Sequence, residues 1–382
     1  MMSGHFKIGW VVGTLCVGLL SADDLKLVVP GIKDAVLISL PENHDSAKKW
    51  PAVFSYHGFN GRPETRMTRN HTGGEGWIVV GMAYAQPGKY QLDAAGIEKE
   101  LKVFRFVRDE LVKKHGLDVT RMYAAGYSKG GWMTDALLQA EPGFAGGAIL
   151  MGGHVPTGLK PAPRIDPKKE VFIGVGRLDP NYLMSLKALL FYREKKLPTS
   201  FESWPGLGHR FPQNGSRGLR EWFALQNDEK PDEAELQKEF TKLQTLDPVK
   251  AWRELIDFQA RPYCNVKNSA WPDQISAALK KLEQNPTVTR EAKVRMSHRR
   301  LLAGEVKMRT FDELRKINAG YLQLREEGAK TSWVDVIDLD HKRVMGVLKQ
   351  TEAANPERPK PRVVTPDPPK EQRGFPRNPL IR

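Results

Sequence analysis

The sequence predicts a doubly wound, mainly parallel α/β fold followed by an all-α extension. Three observations predict it. Short apolar strands alternate with amphipathic helices from residue 25 to about residue 228. A Gly-x-Ser-x-Gly pattern, Gly126-Tyr-Ser-Lys-Gly130, stands where a strand gives way to a helix. Beyond Asp232 the composition shifts to Glu, Lys, Leu, Gln and Arg with helical periodicity.

In chain order, residues 25–29 and 35–40 read as two strands at a sheet edge, separated by the turn-prone Pro30-Gly31. Residues 52–56 form an apolar strand running into His57-Gly-Phe-Asn-Gly61, a loop at the strand's carboxyl end, where open α/β sheets bind ligands. Residues 77–84 give another strand. Residues 94–115 carry apolar side chains at 97, 101, 104, 107, 111 and 112, one stripe of an amphipathic helix. A strand over 121–125 then enters the glycine-rich turn at Ser128, and a helix over 131–139 leaves it. Strands at 146–151 and 171–175, a helix at 182–195, a strand at 200–204 and a helix at 217–225 complete the series. The unit ends near 228, ahead of Asn227-Asp-Glu-Lys-Pro231.

Four segments follow: a leader over 1–22, an α/β unit over 23–228, a helical region over 229–354 and a proline-rich basic tail over 355–382, expected to be extended or disordered. In the helical region the periodicity is plain at 234–243, 249–258, 275–282 and 344–353. Residues 290–316 are dense in positive charge, including Lys293, Arg295, Arg299, Arg300, Lys307 and Arg309. They read as a solvated helical face, with a patch for an anionic partner as the alternative.

In the leader, His5 and Lys7 precede an apolar run from Ile8 to Leu20, then Ser21-Ala22 and acidic Asp23-Asp24. That run falls short of the roughly 20 apolar residues that span a membrane. A cleaved signal peptide is therefore expected, and with it a secreted or periplasmic protein without a transmembrane domain. Leu20, where a small residue is usual, keeps an uncleaved anchor open. Removal of the leader takes Cys16 with it, leaving Cys264 without a disulfide partner in the chain, a packed thiol rather than a nucleophile.

The formal net charge of +14 suits nucleic acid, an anionic polymer or a membrane surface equally. Without zinc-finger spacing, a P-loop or an aromatic RNP-like run, no specific nucleic acid is expected. Gly174-Val-Gly-Arg-Leu-Asp179 begins like a dinucleotide fingerprint but lacks its last glycine, and no H-e-x-x-H pattern is present, so neither cofactor nor metal is expected.

The chemistry centres on Ser128. A serine hydroxyl is a weak nucleophile near neutral pH and needs a base, itself oriented by a third group. Asp179 follows the strand at 171–175 and His209 follows the strand at 200–204, so both lie on loops at strand carboxyl ends. Asp166 is a rival acid, but it precedes the strand and sits at its wrong end. His154, just after the strand at 146–151, is placed to line the site, as are His57, Tyr127 and Trp204. Backbone amides of Lys129 and Phe59 are the expected oxyanion donors. The Lys129 side chain is expected to be solvent-exposed, and His57 to shape its loop.

Residues from about 50 to 212 resemble the α/β-hydrolase superfamily. Gly126-Tyr-Ser-Lys-Gly-Gly-Trp-Met133 and Gly206-Leu-Gly-His-Arg-Phe-Pro212 are similar to the polyhydroxybutyrate depolymerase and feruloyl esterase type, and phospholipase/carboxylesterase-like proteins are also similar. The resemblance implies a serine esterase acting on a small-molecule or polymer-borne ester through Ser128, Asp179 and His209, with oxyanion amides at Phe59 and Lys129. It covers less than half the chain. The disulfide-forming cysteines common in secreted depolymerases are missing, and the helical extension has no counterpart in the minimal family. A peptidase of the same fold, and a binding or scaffold protein built on a hydrolase-like core, are the alternatives.

Overall fold

The computed structural model describes residues 24–86, 92–159, 165–266 and 268–354. The leader 1–22 and the tail 355–382 lie outside the described residues, so the expectations placed on them do too. Eight strands form one sheet in the order β1-β2-β4-β3-β5-β6-β7-β8. Their ranges are β1 Leu25–Leu27, β2 Val36–Ser39, β3 Trp50–Tyr56, β4 Ile78–Met82, β5 Leu117–Tyr127, β6 Phe144–Leu150, β7 Glu170–Gly176 and β8 Thr199–Trp204. β2 pairs antiparallel with β1 and β4, and every pair from β4 to β8 is parallel. The two strands read as a sheet edge therefore lie at one edge.

Central strands β3 and β4 are apolar along their length because helices cover both faces of a parallel sheet. Helix α1 spans Arg66–Thr72, α2 Ala94–His115, α3 Lys129–Ala140, α4 Tyr182–Glu194 and α5 Arg217–Gln226. α2 has the predicted bounds: Asp93 caps its first turn by accepting from the Gly96 amide, and Gly116 ends it in the left-handed conformation. Ile97, Leu101, Phe104, Val107 and Leu111 are buried as the stripe predicts, whereas Val112 faces solvent. Phe104 meets Phe54 of β3 and Phe144 of β6 with ring centroids 4.8 and 4.6 Å apart, which pins α2 across three strands. With this strand order and these covering helices, the core is an α/β-hydrolase fold.

From residue 233 the chain is helical: α6 Glu233–Gln244, α7 Pro248–Gln259, α8 Trp271–Leu282, α9 Pro286–Lys307, α10 Phe311–Glu327 and α11 Val334–Ala354, with one 3-10 turn at Pro262–Asn265. Capping is encoded locally. Asp232, Asp247 and Asn285 accept from first-turn amides, and Thr310 with Glu313 forms a capping box. The extension carries its own apolar clusters, one around Phe240, Leu255, Phe258 and Trp271 and one around Leu314, Tyr321, Ile337 and Val344. Cys264 is buried in the first, and burial pushes its thiol up to about 12, as a packed thiol requires. The basic stretch divides: Lys293, Arg300, Lys307 and Arg309 face solvent, whereas Arg295 turns inward over the Trp252 and Trp333 rings at 5.8 and 5.6 Å. Among the described residues no helix is long and apolar enough to cross a membrane.

Candidate active site

Ser128 occupies the turn between β5 and α3 with φ 55° and ψ −119°, a conformation that costs a non-glycine residue about 1–3 kcal/mol. The turn is held on both sides: the Ser128 amide donates to the Leu150 carbonyl at the end of β6, and its carbonyl accepts from the Trp132 amide. Gly130 explains the motif. A Cβ there would lie 1.9 Å from the Tyr56 carbonyl oxygen, so only glycine lets α3 start this close to β3.

The side chain leaves the sheet toward the loops after β7 and β8. His209 Nε2 lies 2.8 Å from Ser128 Oγ, and His209 Nδ1 lies 2.8 Å from Asp179 Oδ2. Asp179 is fully buried. Its second oxygen accepts from the Asn181 amide at 2.7 Å, and Asn181 Nδ2 is anchored on the Met151 carbonyl at 2.8 Å. Burial raises the Asp179 pKa, while the Asn181 amide and His209 pull it the other way. With Asp179 ionised, Nδ1–H donates to it, and Nε2 is left to accept from the serine hydroxyl. Three residues 51 and 30 positions apart in sequence thus meet in one hydrogen-bonded line.

Lys129 follows Ser128 directly, and Phe59 lies in the loop after β3. Lys129 opens α3, where a helix leaves its first amides without acceptors. Phe59 follows Gly58 in the loop after β3, its ring exposed. His57 is tied into that loop: Nδ1–H donates to the Gly58 carbonyl at 2.7 Å, and the His57 carbonyl accepts from the Tyr84 hydroxyl at 2.7 Å. Burial lowers the His57 pKa, the Lys129 charge adds to that, and the Gly58 bond opposes it. Tyr127 is half-buried against the same loop; a Cβ on Gly58 would come within 2.8 Å of its ring.

Three expectations are corrected. The Lys129 side chain is buried, not exposed: its ammonium lies 3.8 Å from the centroid of the Tyr84 ring, and burial lowers its pKa against the opposing charge of Glu100. His154 is engaged elsewhere. Its ring stacks on Phe191 at 3.6 Å and Nδ1 lies 3.2 Å from buried Asp135, which also accepts from Tyr192. Trp204 is a core side chain rather than a wall open to substrate, packed against Phe211 and into the space that Gly174 leaves empty. Asp166 stands at the turn before β7, accepting from the Lys168 and Lys169 amides, far from the strand end that carries Asp179.

No family model matches the chain, and no curated protein does. Solved structures similar to it include a carboxylesterase from Mesorhizobium loti, with 18% identity, 52% of this chain and 98% of that chain covered, and a TM-score of 0.43. A Bacillus cereus carboxylesterase shows 17% identity over 50% of this chain and 93% of that one, with a TM-score of 0.40. Est1E from Butyrivibrio proteoclasticus shows 17% identity over 54% and 97%, with a TM-score of 0.37.

Sequence reasoning missed Tyr84, Glu100, Asn181 and Arg177. Glu100 is buried beside Lys129, accepts from the Ala85 amide at 3.0 Å and has its carboxyl pushed up to about 7 by burial. Tyr84 had a signal, an aromatic residue with a polar tip just past the carboxyl end of a core strand. Glu100 had a weaker one, an acidic residue one position before Leu101 in the buried stripe of α2. Among the described residues no three His, Cys, Asp or Glu side chains converge as a metal site would need.

Proposed function

We propose that the protein is a serine hydrolase that cleaves carboxylic esters through an acyl-enzyme. The observation that carries this reading is the Ser128–His209–Asp179 line, 2.8 Å at each step, rooted in a strained turn at a strand carboxyl end. In the first half-reaction Ser128 Oγ attacks the acyl carbon while His209 Nε2 takes its proton. The oxyanion so formed is held by the amides of Lys129 and Phe59. The imidazolium is stabilised by Asp179 and gives its proton to the departing alcohol, leaving Ser128 acylated. Water then attacks the acyl carbon, again losing its proton to His209, and the acid departs with Ser128 restored.

The substrate is an ester with an accessible acyl carbon, either a small molecule or a group borne on a polymer. Only about twenty residues separate β6 from β7, too few for a large lid, which favours an open site. The leader composition supports an exported enzyme. Ser128→Ala should abolish both hydrolysis of a p-nitrophenyl ester and labelling by a fluorophosphonate. Persistence of both in that variant would overturn the reading. Peptide amides assayed beside the esters separate a peptidase from an esterase.

A further inference from the structure

The loop that carries Asp179, residues 176–181, is fixed by more than the α/β core. Arg177, two residues before the acid, reaches across to α11, 163 positions away, and forms a two-pronged pair with Asp340: Nε to Oδ1 at 3.1 Å and Nη2 to Oδ2 at 2.7 Å. Asp340 is fully buried. It also accepts from His298 Nε2 on α9 at 2.7 Å and from Arg343 Nη2 at 3.3 Å. The Trp333 indole donates to His298 Nδ1 at 3.2 Å, which leaves Nε2 to carry the proton given to Asp340 and makes His298 neutral.

Charge in this cluster balances. Arg343 also pairs with Glu305, which accepts from the Tyr321 hydroxyl at 2.8 Å, so two guanidinium groups face two carboxylates. Burial alone would raise the Asp340 pKa; Arg177, His298 and Arg343 outweigh it and hold the carboxyl well below the usual carboxylate range. Arg177 and Arg343 both lie over the ring of Tyr182, the first residue of α4, at 5.6 and 4.8 Å. The extension therefore grips the acid loop at its start through Arg177 and at its end through Tyr182.

That grip reaches the base as well. The Arg177 amide donates to the Trp204 carbonyl at 2.9 Å and the Leu178 amide to the Leu207 carbonyl at 2.8 Å, so the Asp179 loop holds the loop leading to His209. A buried two-pronged pair has one permitted geometry, unlike a surface pair that can re-form in several. We propose that Asp340 is a positioning residue: α9 and α11 hold Arg177, and through it the Asp179 and His209 loops, in the register that aligns the two side chains on Ser128. The helical extension is then part of the hydrolytic apparatus and not an independent appendage. The inference deepens the proposed ester-hydrolase reading and rests on it for its kinetic consequence, though not for the contact itself.

The experiment uses full-length Asp340→Asn, with folding checked by thermal unfolding. Two readouts are taken on the same protein: kcat and KM on a p-nitrophenyl ester, and amide hydrogen exchange of segments 176–182 and 204–209 beside that of β3 and β5. The expected result is a fall in kcat of about 10–100-fold with KM within about twofold, since misplacement of a catalytic group by about 1 Å acts on the transition state more than on binding. Exchange should quicken in the two loops and stay unchanged in β3 and β5. If Asp340→Asn fails to fold, the pair Arg177→Gln with Asp340→Asn, which strands no buried charge between these two residues, is measured in its place with the same expectation. A folded variant with wild-type kcat, or with wild-type loop exchange, overturns the proposal. Should the wild-type protein prove inert to every ester and to fluorophosphonate, the ester-hydrolase reading falls, and the exchange comparison alone decides whether α11 holds the loop.

Discussion

Gly130→Ala tests the turn at Ser128 with a single methyl group. The added Cβ would lie 1.9 Å from the Tyr56 carbonyl oxygen, and such a contact relaxes only at roughly 3.3 Å, so about 1.4 Å must open between α3 and the end of β3. The obstacle is backbone of a central strand, which cannot swing aside as a side chain can. Alanine gains about 1 kcal/mol of helix propensity over glycine, whereas overpacking of a tight site costs about 1–3 kcal/mol and more when backbone must move. The clash wins. Net destabilisation should reach about 2 kcal/mol, which for a unit of this size lowers Tm by roughly 4–8 °C. The displacement also carries Ser128 from His209 Nε2, now 2.8 Å away, and a shift near 1 Å costs about a hundredfold in rate. Thermal unfolding and the second-order rate constant of fluorophosphonate labelling measure the two effects. Gly346→Ala on α11, where nothing lies within 4 Å of the new methyl, is the control and should stabilise slightly. A Gly130→Ala protein that unfolds and labels like wild type refutes the argument.

Two further outcomes follow from buried carboxyls. Asp179→Asn keeps an acceptor for the Asn181 amide but presents an NH2 group to His209, so kcat on an ester should fall by about 10⁴ with the fold intact; a loss below tenfold would remove Asp179 from the proposed line. Glu100 keeps its proton in the folded state up to about pH 7 but releases it near 4.5 when unfolded, so stability falls as pH rises across that window, by roughly 3 kcal/mol. Glu100→Gln should flatten that fall in urea unfolding at pH 5 and pH 8, and an unaltered difference between the two would exclude Glu100 as its source.

How far the sequence carried the fold depended on whether the deciding interactions were local. α2 was bounded correctly because its stripe, its Asp93 cap and its Gly116 terminator all lie within the helix or next to it. The central strands were legible because burial on both faces makes them continuous apolar runs. α1 was invisible: Met67 is the one apolar side chain of Arg66–Thr72, too few for a stripe, and its buried His71 is satisfied by the Met67 carbonyl and the Ser216 amide, the second 145 residues away. α9 and α10 were obscured by basic side chains, one of which, Arg295, turns inward onto two tryptophans. At the site, Ser128, Asp179 and His209 could be nominated because strand carboxyl ends and chain order are sequence properties, and their side chains lie within hydrogen-bond distance in one line. Lys129 and Trp204 were misplaced because their burial depends on Tyr84, Glu100 and Phe211, which local spacing does not bring together.

The rim of the sheet is where these separate contacts become one connected network. The Ser128 amide is bound to Leu150 at the end of β6; the Met151 amide is bound to Gly174 of β7, and the Met151 carbonyl holds Asn181, which holds Asp179. Arg177 and Leu178 then bind the chain that ends at His209. Every step linking Ser128, Asp179 and His209 is a backbone or amide bond between neighbouring loops, so the rim has little freedom to let one of the three drift alone. What such a chain does not fix is its own far end, because among the described residues β8 is the last strand of the sheet and has no further strand beside it. There the extension supplies Asp340 to Arg177. The loop that carries His209 follows this edge strand, and α9 and α11 hold the neighbouring Arg177 loop through Asp340 and His298.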